Sequence, residues 1–408
     1  MSLVVINDVN IFDGVSPDLK ENHSVVIEGR RIKEISHREI KIPGATTLSG
    51  KGKFLMPGLI DAHYHACLVA VPGYDLKTMP PSLLYPAASK LLEASLRRGF
   101  TTVRDAGGAD FGLAEAVKSG LISGPTIYFS GRPLTQTGGH GEFRSKVFEE
   151  PCLCSSHQAH MVVVVDGEDA VRKAVREEFR KGAHQIKIML NGGVSSEGDP
   201  VWLCQFTDGE IKAAVEEAAR RRSYVMAHLY VDEQIRKAVD LGIRTVEHGN
   251  FLTLETAKVM AEKDVFLVPT LATYQALKNQ GKSFGFKAEN FQKLEEVMEA
   301  GLQSLKNASE AGVKIGFGTD LLGDMHRYQC DEFRIRSEVQ SPFEILKSAT
   351  SINAEILGKS GELGVITEGA IADILLIDKN PLDDLSVFDS EGSHIACIMK
   401  EGKVVVIF

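Results

Sequence analysis

The chain is predicted to be an α/β protein: a (β/α)8 TIM barrel carrying a small β-sandwich domain formed by both chain termini. Three observations lead there. Strand and helix patterns alternate between residues 56 and 355, chemically unusual residues sit at the C-terminal ends of those strands, and β-rich runs broken by turns occupy both ends. The expected division is a β domain from residues 1–55 and 356–408 around a barrel at 56–355. A length of 408 residues exceeds what one small core holds, which agrees with two units.

The elements follow in chain order. Leu3-Val4-Val5-Ile6 and Ser24-Val25-Val26-Ile27 are apolar β-rich runs, the second closed by the turn Glu28-Gly29-Arg30. Residues 372–378 and 395–399 behave alike at the other end, and the tight turn at Glu401-Gly402 leads into Lys403-Val404-Val405-Val406. Neither end buries a good core alone, so the two are expected to pair. Between them, strands are expected at 59–65, 101–105, 126–131, 185–190, 224–229, 245–249, 265–270 and 314–319. Helical patterns fall between several of them, for example 208–222 with Thr207 as N-cap and 232–241 closed by Gly242.

Composition excludes several function classes. With 43% hydrophobic residues, 25% charged and a net charge of -9, the chain has an ordinary globular make-up. The acidic balance and the lack of basic stretches interleaved with aromatics argue against a nucleic-acid partner. Six cysteines, at 67, 152, 154, 204, 330 and 397, are too sparse for a disulfide framework. Cys152-Leu153-Cys154 lacks the spacing of the usual zinc modules. No run reaches the roughly 20 apolar residues of a membrane span, and no basic region followed by an apolar core opens the sequence. A cytoplasmic location is therefore expected, without a membrane partner.

The chemistry gathers around His63-Tyr64-His65, at the end of an apolar run beginning at Phe54. Residues two apart in a strand point the same way, so both imidazoles can address one ion. Lys187, His228, His248 and Asp320 each close another short β-rich segment, which places all six in one barrel mouth. Two hard cations held close need a bridging anion; lysine carboxylated by carbon dioxide supplies one, whereas an amine does not. His23, His37, His157, His160, His184, His326 and His394 keep the ordinary reading of packing or surface residues.

Pro57-Gly58-Leu59-Ile60-Asp61-Ala62-His63-Tyr64-His65, Val246-Glu247-His248-Gly249, Gly318-Thr319-Asp320 and the late Gly369-Ala370-Ile371-Ala372-Asp373-Ile374 resemble the amidohydrolase superfamily in its binuclear, carboxylated-lysine form. The resemblance covers essentially the whole chain. It implies that His63, His65 and Asp320 hold one divalent metal and His228 and His248 a second. N6-carboxylated Lys187 and a hydroxide would bridge the two, zinc being the default metal. Two cations make hydroxide accessible near neutral pH and polarise the scissile carbonyl. Asp320 would take the hydroxide's proton and return it to the leaving nitrogen.

Residues 185–194 and 101–105 resemble the branch containing imidazolonepropionase, Xaa-Pro dipeptidases and carboxypeptidases for basic residues. The expected substrate is a dipeptide with C-terminal proline or an N-acyl-proline, the dipeptidase (prolidase-like) reading. A carboxypeptidase for Lys or Arg, a hydrolase of a cyclic amide such as imidazolonepropionate, and a non-catalytic metal-binding barrel are the alternatives. His140, in the glycine-rich segment Thr137-Gly138-Gly139-His140-Gly141, is expected to stabilise negative charge on the substrate. Tyr230 shares the direction of His228 and offers a phenol donor to the substrate carboxylate, where related enzymes often have a small residue. Arg104 is a further candidate for that carboxylate. Ample surface for self-association leads us to expect a homo-oligomer.

Overall fold

A computed structural model of the chain describes residues 3–71, 76, 79–142, 162–195 and 198–407. Cys152, Cys154, His157 and His160 lie outside the described residues.

Both chain ends meet in one eight-stranded sheet. Leu3–Ile11 runs antiparallel to Lys20–Glu28, which pairs in turn with Arg31–Ser36. On its other side Leu3–Ile11 is parallel to Thr46–Ser49 through Val4 to Asn7, and to Phe54–Pro57 through Asn10 and Ile11. Phe54–Pro57 then joins Ile374–Ile377, Ile395–Lys400 and Lys403–Ile407, all antiparallel. Among the described residues the strands of both ends form one connected ladder, and two separate sheets of a sandwich are not distinguished. Register shifts on either side of Val9, with Asp8 at φ +58°, let the two halves of one strand take different parallel partners. Alternation does the rest: Ile374 and Leu376 face one apolar cluster, Leu375 and Ile377 another that reaches the central part of the chain.

The central part contains two parallel sheets. The first holds β1 (Leu59–Tyr64), β2 (Phe100–Asp105) and β3 (Thr126–Phe129). The second holds β4 (Ile186–Met189), β5 (Val225–Leu229), β6 (Thr245–His248) and β7 (Phe266–Val268), extended beyond β4 by the short strands Leu134–Thr135 and Val163–Val164. Every residue of β4, β5, β6 and β7 is buried, as parallel strands covered by helices require. The helices form where the sequence places their caps. Asp208–Arg220 starts from a Thr207–Glu210 capping box, and Asp232–Asp240 ends before Gly242 at φ +96°.

A single closed eight-stranded ladder is not formed among the described residues: it is open between β3 and β4 and again at the strand expected at 314–319. That segment makes only one isolated bridge, Leu267 to Ile315. Between this segment and β1, the side chain of Asn353 adds a bridge. Its Nδ2 donates to Ile60 O (2.6 Å) and Phe317 O (2.8 Å), and its Oδ1 accepts from Phe317 N at 3.1 Å. Backbone bonds also run there, from Ala62 N to Phe317 O (2.8 Å), Thr319 N to His63 O (3.3 Å) and Asp320 N to His63 O (2.8 Å), and between the two sheets His184 N donates to Phe129 O at 2.8 Å. None of the described helices is long and apolar enough to cross a membrane.

Candidate metal centre

β1 delivers the first ligands. His63 and His65 flank Tyr64, whose ring is buried in the core, so the two imidazoles share the opposite side. Asp320 lies against both: its Oδ1 is 3.4 Å from His63 Nε2 and 3.0 Å from His65 Nε2. The three ligand atoms lie within 4.8 Å of one another. Asp320 is held there by its own N–H, which donates to His63 O at 2.8 Å. Behind it, buried Asp61 accepts from His63 N (3.1 Å), Thr319 N (3.2 Å), Thr319 Oγ1 (2.7 Å) and Gln329 Nε2 (2.9 Å). One carboxylate thus stitches the segment of Asp320 to the strand of His63.

The remaining ligand candidates converge from the second sheet. His228 and His248 ring centroids are 4.7 Å apart, and His248 is 5.0 Å from His63. Lys187 in β4 is buried and lines the same cavity of about 180 Å³ as these histidines and Asp320. Burial, reinforced by the surrounding positive groups, holds His228 and His248 well below the usual imidazole range, so both are neutral at pH 7. Burial also brings the Lys187 ammonium down to about 8, against the opposing pull of Glu247 and Asp320. An amine this close to neutrality has a populated unprotonated form, the form that adds to carbon dioxide.

The donor chemistry fits divalent cations because each histidine is anchored through its other nitrogen. His63 Nδ1 meets Glu247 Oε2 at 2.7 Å, His65 Nδ1 meets Gly107 O at 2.9 Å, His228 Nε2 meets Gly192 O at 3.1 Å, and His248 Nδ1 meets Thr270 Oγ1 at 2.7 Å. Such partners fix ring orientation and leave the opposite nitrogen to a metal. Backbone strain gathers at the same place. His248, Thr270 and Asp320 all have positive φ, at +71°, +50° and +52°, and for β-branched Thr270 this is costly.

Arg104 departs from its expected role. Its guanidinium is fully buried, is absent from the cavity lining, and donates through Nη2 to both Glu247 oxygens, at 2.8 and 2.9 Å. Arg104 Nε donates to Ala62 O (2.6 Å) and Nη1 to Thr245 Oγ1 (3.1 Å). Burial opposes ionisation of Glu247, but Arg104 and the His63 hydrogen bond outweigh it and hold that carboxyl well below the usual range. Arg104 therefore supports the carboxylate that aims His63 and does not reach a substrate.

His140 and Tyr230 do line the cavity. The His140 ring stacks on His228 at 4.3 Å with an interplanar angle of 15°. Tyr230 lies edge-on to His228 at 4.9 Å and stacks on His248 at 5.4 Å. Its hydroxyl is 3.5 Å from that of Tyr274, which donates to Asn250 Oδ1 at 3.0 Å. Burial keeps the Tyr230 phenol protonated, hence a donor. Sequence reading missed Asp61, Glu247, Thr270 and Tyr274. For Asp61 and Glu247 a signal existed: a carboxylate inside a short β-rich segment that reads as a buried strand.

Comparisons with known proteins agree with this geometry. A crystal structure of a prolidase complexed with N-methylphosphonate-L-proline superposes with a TM-score of 0.96, at 46% identity over 100% of both chains. A Xaa-Pro dipeptidase with methionine in its active site gives a TM-score of 0.88 at 28% identity, covering 99% of each chain. Ochratoxinase of Aspergillus niger is 33% identical over 373 residues, which is 86% of this chain and 75% of that protein. Residues 54–405 match the amidohydrolase family, and the chain belongs to that family.

Proposed function

We propose that this amidohydrolase is a metal-dependent Xaa-Pro dipeptidase that also accepts N-acyl-prolines. The observation that carries the reading is the full-length likeness to the prolidase bound to a proline phosphonate. The cavity supports it. Among the described residues Asp320 is the only acidic group lining it, so a C-terminal Lys or Arg side chain would find no counter-charge beyond the metal ligands. Proline is compact, and its amide nitrogen carries no hydrogen needing an acceptor.

His63, His65 and Asp320 would hold one cation, and His228 and His248 a second, with N6-carboxylated Lys187 between them; zinc suits these donors. When bound, two such ions lower the pKa of water and polarise the scissile carbonyl. Asp320, ionised because His63 and His65 offset the cost of its burial, accepts the proton of the attacking water. It passes that proton to the prolyl nitrogen, which must be protonated to leave. His140 and the Tyr230 hydroxyl face the substrate from the other wall, where the hydroxyl donates to its oxygens. The wider reading has the two parallel sheets as arcs of one (β/α)8 barrel at residues 56–355, embraced by 1–55 and 356–408. It further has a cytoplasmic homo-oligomer.

The test is a comparison of kcat/KM for Ala-Pro, Ala-Arg and imidazolonepropionate on zinc-loaded protein. Ala-Pro is expected to lead by at least about 100-fold, the discrimination a pocket lacking the required counter-charge imposes. Faster release of arginine, or ring opening of imidazolonepropionate above proline release, overturns the reading. Two bound metals without hydrolysis of any dipeptide would mark a non-catalytic barrel.

A further inference from the structure

The segment after β4 carries a carboxylate that the reaction described above leaves unassigned. Asp199 is buried, and its Oδ2 lies 3.1 Å from His140 Nδ1 and 3.1 Å from Gly193 N. We propose that Asp199 is a positioning residue: it binds the Nδ1–H of His140, so that the ring addresses the substrate through Nε2. This rests on the dipeptidase reading for what His140 acts on, but not for the pairing itself.

The surroundings show that the place is built for this pair. A Cβ on Gly193 would come within 2.0 Å of His140 Cε1 and 2.2 Å of Nδ1, so only glycine at 193 leaves room for the ring. Gly192, next to it, accepts from the ligand candidate His228, on which His140 stacks. The segment is clamped from behind by Ala288–Ala311. Lys293 Nζ donates to Gly193 O and Asp199 O, both at 3.3 Å, and Asn290 Nδ2 donates to Val194 O at 2.8 Å. One short stretch thus fixes a metal-facing imidazole and a substrate-facing imidazole together. A carboxylate aiming a histidine through Nδ1 is a recurrent way to select one tautomer. Misplacing a catalytic group by about 1 Å can cost 10²-fold in rate.

The experiment is a double-mutant cycle with Asp199→Ala and His140→Ala, each on zinc-loaded full chain with metal content measured. It is run on whichever amide the wild type turns over, so an enzyme inert toward prolyl dipeptides refutes the dipeptidase reading without touching the cycle. Asp199→Ala is expected to lower kcat/KM by about 10²-fold, with metal content unchanged, and to have no further effect in the His140→Ala background. Gly193→Ala should reproduce the loss. The nitrogen NMR signature of His140 gives a readout independent of turnover: protonated Nδ1 in the wild type, reverting to protonated Nε2 in Asp199→Ala. Additive losses in the cycle, or a His140 tautomer unmoved by Asp199→Ala, would overturn the proposal.

Discussion

The two walls of the cavity are made differently. One is built from strand ends, where His63, His65, His228, His248 and Asp320 are fixed by a buried net of Asp61, Glu247, Arg104 and Thr270. The other is built from connections, where His140 and Tyr230 take their positions from Asp199, Gln205, Tyr274 and the helix at 288–311. The strand-end wall spends backbone strain and buried charge to hold ligands at fixed spacing. The connecting wall is held by long-range contacts and, on the dipeptidase reading, faces the variable part of the substrate. On that reading chemistry and selectivity are separated in space.

That separation can be broken from the chemical side first. Asp320→Asn removes the proton acceptor and a ligand together, and should lower kcat/KM by at least about 10³-fold while circular dichroism stays native. An active, folded variant would dissociate Asp320 from the chemistry. Glu247→Gln touches no substrate, yet it leaves the Arg104 guanidinium buried without its counter-charge. We expect a loss of about 3–5 kcal/mol in stability, read as a lowered unfolding midpoint, together with weaker zinc retention.

The connecting wall should respond less. Glu332 supports it, since its Oε2 accepts from Ala272 N at 2.6 Å, at the start of the helix that carries Tyr274. Burial raises its carboxyl to about 7, against the pull of Arg336. The unfolded chain releases this proton near the ordinary 4.5 and the folded chain only near 7, so stability falls as pH rises through that window. Glu332→Gln should therefore remove this pH dependence, shifting stability more favourably at pH 8 than near pH 5. An equal shift at both pH values would contradict the buried charge. Tyr230→Phe is the mildest change: one donor lost, worth about 1 kcal/mol. KM for Ala-Pro should rise several-fold with kcat nearly constant, and a kcat effect alone would move Tyr230 from binding to chemistry.

The same division explains what was legible in the sequence. His63 and His65 could be read because strand alternation is local, and the helix starting at Asp208 because Thr207 and Glu210 announce its cap three residues apart. Arg104 was misassigned because its partner Glu247 is 143 residues away, while Asp105 beside it offered a nearer explanation. The strand expected at 314–319 is reduced to one isolated bridge, and Asn353, from a distant helix, occupies Phe317 N and shares Phe317 O, a partnership no local pattern announces. Asp199, in Gly198-Asp199-Pro200, reads as an ordinary turn residue, and only the folded chain brings it to His140.

The central claim is that the strand-end wall becomes an amide hydrolase by binding two cations. It is tested most directly by titrating zinc into metal-free protein in bicarbonate buffer while following metal content and proline release from Ala-Pro together. The account predicts no release without metal and activity that saturates at two ions per chain. Release from metal-free protein, or full activity at one ion per chain, would contradict it.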